Sequence, residues 1–289
     1  MSLLTSVIIP TYQRPGDLAR CLDQLAPEAQ TLPFDQYEVI VTDDEGEGSA
    51  TEHLVKEHYP WARWVPAPGR GPAANRNNGA RYASGEWLVF TDDDCIPQPR
   101  WLGAYADAIR ETSCNILEGP THAEGPRESL AWYAPINTEG GRLWSCNFSA
   151  RSDVFHQLDG FDESYPFALE DMDFKTRVSE AGFSTVFVKK AAVVHPWRVQ
   201  SPSAIFQRQL RELRGWYRFA QKHPDKIQRF KAGYLLRPLF TAFNDVCNHF
   251  RTHKGCGLLS YLAFLIGGII KAVGVVAFST SSRTQKTKK

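Results

Sequence analysis

Short runs of β-branched and aromatic residues alternate with stretches of helical periodicity, and most of these runs close on a polar or acidic group. This alternation constrains the chain more than any other feature of it. Ser6–Pro10 (SVIIP), Tyr37–Thr42 (YEVIVT), Ala62–Val65 and Trp87–Thr91 (WLVFT) read as strands. Between and after them, Arg14–Ala29 carries Leu18, Cys21, Leu22 and Leu25 at helical spacing. Ala50–His58, Asn75–Ala83 (ended by Ser84-Gly85) and Pro99–Glu111 read as further helices. Such an order implies an α/β fold with a mainly parallel central sheet flanked by helices. Ligands bind such sheets beyond the carboxyl ends of the strands, so the polar residues found there are the ones to examine. Beyond residue 112 the pattern loosens. Asn115–Glu118, Ser145–Ala150 and Ser184–Val188 are strand candidates, and Glu170–Ala181 is a helix stopped by Gly182.

Three acidic clusters stand at these ends. Asp92-Asp93-Asp94 follow WLVFT directly. If the segment stays extended, Asp92 and Asp94 point the same way and converge on one cation, and hard oxygen ligands suit Mg²⁺ or Mn²⁺. The alternative is a solvated acidic turn that caps the following helix. Asp43-Asp44 follow YEVIVT and read either as acceptors for a ribose hydroxyl or base N–H, or as a polar turn with Gly46 and Gly48. Glu170-Asp171, with Asp173, open a helix, where they serve either as dipole-stabilised caps or as a general base toward an acceptor hydroxyl.

The series VIIPTYQRP, VTDDEGEG, GPAANRNNGARYASGEWLVFTDDDCIP, LDGFDE and LEDMDFKTRVSEAG, in that order, resembles the family 2 glycosyltransferases of GT-A fold over roughly residues 5–198. The resemblance implies an inverting, metal-dependent enzyme. It would move a sugar from a nucleotide-diphosphate sugar to a hydroxyl of a glycan or lipid-linked acceptor. UDP is the default nucleotide because it is the family's commonest. Pro10, Thr11, Tyr12 and Arg14 then line the nucleotide pocket, and Asp43 or Asp44 contacts the base or ribose. Asn75, Arg76 and Asn77 stand near the base and diphosphate. Asp92 and Asp94 form the DxD pair on the metal, with Asp94 the direct ligand, Asp92 the contact to ribose or sugar, and Asp93 beside them on the donor side. Gly160-Phe161-Asp162-Glu163 match the acceptor-side loop, and Glu170-Asp171 the ED motif, whose Asp171 is the base. His195, in VVHPWRV, is either a further metal ligand or a packed histidine. Arg198 is a candidate for the diphosphate, while Trp144, Asn147 and Trp197 either shape the pockets or belong to the core. One departure concerns DDEGEG, where many relatives carry DDGS, which bears on the turn and on donor choice.

Charge divides the chain in two. Residues 1–199 carry 17 Lys and Arg against 29 Asp and Glu, and residues 200–289 carry 16 against 3. We therefore expect a GT-A catalytic domain over 1–199 and a basic helical region over 200–289. Within Ser203–Lys231, Arg208, Arg211, Arg214, Arg218 and Lys222 recur at helical spacing. The stretch 257–278 holds only Lys271 as a charge, and would either span a bilayer or lie in its interface. The expected partners are the nucleotide sugar, the acceptor and a membrane surface. Nucleic acid is not expected, because no recognition motif accompanies the basic face. Six scattered cysteines read as free thiols, and MSLLTSVIIPTY reads as a first strand rather than a signal peptide. The expected location is the cytoplasmic face of the cell membrane. PTYQRPGD lacks the glycine-rich basic loop of a sugar nucleotidyltransferase, and no GxGxxG follows the first strand as a dehydrogenase requires. A non-catalytic binding or scaffold protein on the same fold stays open, although Asp92, Asp94 and Asp171 together argue against it.

Overall fold

A computed structural model of the chain describes residues 4–129, 131–165, 167–227, 262, 263 and 265–270. The strands are β1 (Thr5–Thr11), β2 (Tyr37–Asp43), β3 (Arg63–Pro66), β4 (Trp87–Thr91), β5 (Ile96–Pro97), β6 (Ile116–Glu118), β7 (Thr121–Ala123), β8 (Trp132–Tyr133), β9 (Asn147–Arg151), β10 (Thr185–Phe187), β11 (Val193–His195) and β12 (Arg198–Val199). The helices are α1 (Pro15–Asp23), α2 (Ala50–His58), α3 (Pro72–Tyr82), α4 (Trp101–Glu111), α5 (Ser152–Gln157), α6 (Glu170–Glu180), α7 (Pro202–Lys222) and α8 (Pro224–Ile227).

The central sheet runs β10-β6-β9-β4-β1-β2-β3. Strand β1 pairs in parallel with β2 and β4, and β2 with β3 and β6 with β10 are parallel too. Strand β9 is antiparallel to both of its neighbours, so the sheet is mixed. The chain reaches β9 through the irregular segment after β7 rather than through a crossover helix, and a parallel partner would need such a crossover.

The apolar runs are continuous because both faces of the sheet are covered. Val7, Ile9, Val39, Val41 and Val89 pack on one face with Leu18, Leu22 and Val55 of α1 and α2 and with Trp101 and Tyr105 of α4. Ile8, Ile40, Leu88 and Phe90, the alternate residues, pack on the other with Ala73 and Ala80 of α3, Phe155 of α5 and Phe174 of α6. Gly79 lets α3 lie against the sheet, since a Cβ there would meet Ile8 Cγ2 at 2.6 Å. Helix α1 stops at Asp23 instead of continuing to Ala29, because Pro27 has no amide hydrogen to extend it.

Two small ladders, β5-β11-β7 and β12-β8, are formed by segments that carry no strong strand pattern. Packing divides the chain into two compact units. The first is 1–124, 135–164 and 170–196; the second is 125–134, 165–169 and 197–289. In the second, Ser201 caps α7 by accepting from the Ala204 amide, and Arg208 lies over the Tyr133 ring at 4.1 Å. Among the described residues no helix is long and apolar enough to cross a membrane. Of 257–278, only 262, 263 and 265–270 are described, and these are helical; the rest of that stretch and the basic tail lie outside the described residues. Cys21, Cys95, Cys114 and Cys146 are free thiols.

Candidate active site

The site is built within the first unit, at the carboxyl ends of β1, β2 and β4. Strand β1 ends on Thr11, whose Oγ1 donates to Asp93 Oδ2 at 2.7 Å. Three residues later Arg14 reaches back, with Nη2 at 2.9 Å from Asp93 Oδ1 and Nη1 at 3.7 Å from Asp94 Oδ2. Asp93 is fully buried, and burial pushes its carboxyl up to about 7, with Asp94 adding repulsion and Arg14 and Thr11 opposing it. Its contacts make it the anchor of the loop rather than an open donor ligand. Between Thr11 and Arg14, Tyr12 stands 53% exposed.

Asp92 and Asp94 take different partners in the fold. The chain turns directly after β4, with the Cys95 amide donating to the Asp92 carbonyl at 3.1 Å, and the turn ends the two-residue alternation. Asp92, 25% exposed at its side chain, accepts from Arg76 Nη2 at 2.6 Å. Asp94 instead faces His195, whose Nε2 lies 3.1 Å from Asp94 Oδ2 and whose Nδ1 is 2.8 Å from the Pro196 carbonyl. Burial pulls the His195 pKa down, but the hydrogen bond and charge of Asp94 and the Pro196 carbonyl outweigh it, leaving the pKa raised.

Asp94, Cys95 and His195, all buried, bring three potential ligand atoms within 4.8 Å of one another. The Cys146 thiol and burial push the Cys95 thiol well above its ordinary value. With the thiol held protonated, the Asp94 carboxylate and the His195 imidazole, once an ion displaces its proton, are the remaining donors, and this donor set fits Mg²⁺ or Mn²⁺. The pair that meets there is Asp94 with His195, with Asp92 committed to Arg76.

Asp43 and Asp44 both shape turns. Asp43 is buried and accepts from Ser49 Oγ (2.5 Å), Trp64 Nε1 (3.3 Å) and the Glu45 amide (3.0 Å). Asp44 is half-buried and accepts from the Gly69 and Gly71 amides at 3.1 and 2.9 Å, and burial raises its pKa. These contacts brace the loop that leads into α3.

On α3, Asn75 Nδ2 donates to the Thr11 carbonyl at 3.1 Å, while its buried Oδ1 has no hydrogen-bond partner. Arg76 joins Asp92 to Glu170 of α6, with Nη1 3.2 Å from Glu170 Oε1. Asn77 holds the segment Gly160–Glu163, exchanging hydrogen bonds with the Phe161 backbone at 2.8 and 2.9 Å and reaching Glu163 at 3.1 Å.

Gly160 and Phe161 are therefore held in the core. Gly160 has φ +58° and a Cβ there would meet Asn77 Oδ1 at 2.5 Å, and the Phe161 ring packs among Phe90, Phe148, Phe155 and Phe174. Asp162 accepts from the Ser164 amide, and Glu163 pairs with Arg70 at 2.9 Å and Arg81 at 3.3 Å.

Glu170 is buried against Arg76 rather than open to a ligand. Asp171, next to it in the first turn of α6, is half-buried, and its carboxyl is pushed up to about 7. Burial is the largest cause and the Glu170 charge adds to it, while the Met172 amide and Arg76 oppose. A carboxylate tuned near neutrality suits a general base.

Trp144 is half-buried beneath Arg142, whose guanidinium lies 5.9 Å from its ring. Asn147 is a core hub, accepting from Trp101 Nε1 and Tyr105 OH at 2.8 Å and donating to the Pro120 and Ala191 carbonyls. Trp197 and Arg198 belong to the second unit.

The sequence reading passed over Glu118. It is buried at the end of β6 and accepts from Asn137 Nδ2 (2.7 Å) and from the successive amides of Gly141 (2.6 Å), Arg142 (2.8 Å) and Leu143. The signal was present, because Glu118 ends an apolar strand as Asp43 follows one, and Gly140-Gly141 lie downstream.

A largely parallel sheet with acidic groups at its strand ends, a buried carboxylate–histidine pair and an acidic helix start has the form of a GT-A glycosyltransferase. The chain belongs to glycosyl transferase family 2, whose profile matches residues 6–164, and it is a glycosyltransferase. It is 27% identical over 206 residues to glycosyltransferase AglE of Haloferax volcanii, covering 67% of each chain. It is 36% identical over 269 residues to validoxylamine A glucosyltransferase of Streptomyces hygroscopicus, covering 78% of this chain and 62% of the relative. Among solved structures it is similar in fold to the mannosyltransferase PcManGT of Pyrobaculum calidifontis in complex with GDP-Man and Mn²⁺. The TM-score is 0.57 at 17% identity, covering 96% of this chain and 86% of that one.

Proposed function

We propose that this glycosyltransferase moves a sugar from a nucleotide-diphosphate sugar to a hydroxyl of a glycan or lipid-linked acceptor, inverting the anomeric centre and depending on Mg²⁺ or Mn²⁺. The observation that carries the reading is the pair of adjoining ion-pair networks, Arg14–Asp93/Asp94–His195 and Asp92–Arg76–Glu170, with Asp171 beside the second. Asp94 and His195 would hold the cation, which supplies neutralisation of the charge that gathers on a nucleoside diphosphate leaving group.

Asp171 takes the proton of the acceptor hydroxyl as the oxygen attacks the anomeric carbon. The bond from that carbon to the diphosphate breaks, and its electron pair leaves with the nucleoside diphosphate. One displacement inverts the configuration and needs no nucleophilic serine, cysteine or lysine. Thr11, Arg14 and Asn75 support a nucleotide at the end of β1, and Asp92 offers its exposed edge to a ribose or sugar hydroxyl. UDP is the default nucleotide on family grounds, while the PcManGT relative was solved with GDP-Man.

Thermal unfolding with UDP, GDP, dTDP and CDP, each with and without Mn²⁺, tests the donor. A ligand at about 100 times its Kd adds roughly 2.7 kcal/mol, or about 5–11 °C at the 2–4 °C per kcal/mol usual for a chain of this size. A Mn²⁺-dependent rise with one nucleotide, lost in Asp94→Ala, is expected. Folded protein that responds to none of them favours a non-catalytic role on the same fold.

The cytoplasmic membrane face is proposed as the place of work, on the 16 basic and 3 acidic residues of 200–289. Co-sedimentation of the full chain with phosphatidylserine but not phosphatidylcholine vesicles, weakened by salt, is expected. Equal recovery in the supernatant with both overturns it.

A further inference from the structure

Arg76 links the acidic turn after β4 to the start of α6. It lies on α3, nearly fully buried, and spends its two terminal nitrogens on carboxylates from different elements, Asp92 after β4 at 2.6 Å and Glu170 of α6 at 3.2 Å. Asp171 follows Glu170 directly. The charged groups that act on it are Glu170 from its own helix, Arg76 from α3 and Asp92 from the acidic turn. Two of these are negative, so the guanidinium is the charge among them that opposes protonation of Asp171. Burial would lower the pKa of Arg76, yet Asp92 and Glu170 hold it above its ordinary value, so the group stays a cation. Arginine suits this role because its planar fork addresses two partners at once and does not lose its proton.

We infer that Arg76 is a positioning residue that couples the donor side of the site to the base: bridging Asp92 and Glu170, it favours the charged form of Asp171, and a ligand hydroxyl that draws Asp92 away leaves more of its charge to Glu170 and Asp171. The inference rests on Asp171 as the base. It gives the site an order, because Asp171 is most fully deprotonated, and so free to accept a proton, once the donor has engaged Asp92. Linkage requires the reverse as well, so ionised Asp171 favours the donor-engaged arrangement.

The direct test is a ¹³C NMR titration of the Asp171 carboxyl in the full chain, its signal assigned by its loss in Asp171→Asn. In Arg76→Met the titration midpoint should rise by about one pH unit or more, a tenfold change in proton affinity. Arg76→Lys, which keeps the charge but not the fork, should recover at least half of that rise. Asp92→Asn should move the midpoint down, since it removes a repelling charge and frees the guanidinium for α6.

A folded Arg76→Met with an unmoved midpoint overturns the inference, as does an Asp92→Asn midpoint that stays in place or rises. If Arg76→Met does not fold, the Asp92→Asn and Arg76→Lys titrations decide alone. Failure of the base reading is separate: Asp171→Asn that still releases nucleoside diphosphate from its donor at the wild-type rate removes Asp171 from the chemistry, whatever the titrations show.

Discussion

Replacing Glu118 by glutamine probes a buried carboxylate that holds the 137–143 loop. Its Oε1 accepts from Asn137 Nδ2, the Arg142 amide and the Leu143 amide, and its Oε2 accepts from the Gly141 amide at 2.6 Å. The three successive backbone N–H groups form an anion-binding nest around one buried charge. Leu143 is held there at φ +51°, a backbone conformation that costs an ordinary residue of order 1 kcal/mol. Glutamine is nearly isosteric and keeps one oxygen, so three of the four bonds persist with a neutral acceptor. Its amide nitrogen takes the place of Oε2 and meets the Gly141 N–H donor to donor.

Hydrogen bonds to a charged group are worth about 1.5–3 kcal/mol and neutral ones about 1 kcal/mol. Losing one outright and weakening three gives a gross loss of about 4–5 kcal/mol, partly offset because a neutral amide is easier to bury than a carboxylate. The expected net loss is about 2–3 kcal/mol, or a fall in Tm of about 4–12 °C at this chain length. Circular dichroism melts at pH 7, paired with urea unfolding to check that the m-value is unchanged, measure it. A Tm within 1 °C of wild type would mean that the nest is not holding the 137–143 loop, and the account of Glu118 would be wrong.

Four other outcomes follow from the same contacts. Asp171→Asn should abolish transfer while leaving nucleotide binding in place, and parallel loss of nucleotide binding would count against its role as base. The Asp171 carboxyl ionises near 7 in the fold and near 3.8 when unfolded, so the unfolded chain holds fewer protons between those values and stability falls as pH rises from about 4 to 7. The ceiling of about 4 kcal/mol is at least halved for a half-buried group, so Asp171→Asn should gain about 1–2 kcal/mol at pH 8 and nothing below pH 4. His195→Ala should weaken Mn²⁺ binding at least tenfold by calorimetry, and unchanged affinity would remove His195 from the metal site. Phe161→Ala should cost about 3–5 kcal/mol, because its ring packs 5.2–6.0 Å from four other phenylalanines, and a cost under 1 kcal/mol would show that the cluster closes over the gap.

Much of this was legible because a two-sided parallel strand writes itself plainly. SVIIP, YEVIVT and WLVFT had to be buried on both faces, and a buried strand must end on groups that water or a ligand can satisfy. That logic placed Asp43, Asp92–Asp94 and the helix opening at Glu170, and the motif order named the family. It did not reach β5, β7, β8, β11 and β12, which are two or three residues long and take their extended form from the partners they find. Nor did it reach the antiparallel course of β9, since strand direction leaves no mark on a short apolar run.

The chain by itself determined which chemistry was on offer: carboxylates, a guanidinium and an imidazole, spaced so that a sheet would carry them to one edge. Only the tertiary structure decided who partners whom. The turn after β4 sends Asp92 to Arg76 and Asp94 to His195, and Arg76 spans 16 residues in one direction and 94 in the other to tie Asp92 to Glu170. Local preference acts over a few residues, whereas a buried charge must find its counter-charge anywhere in the fold, and that search is settled in three dimensions.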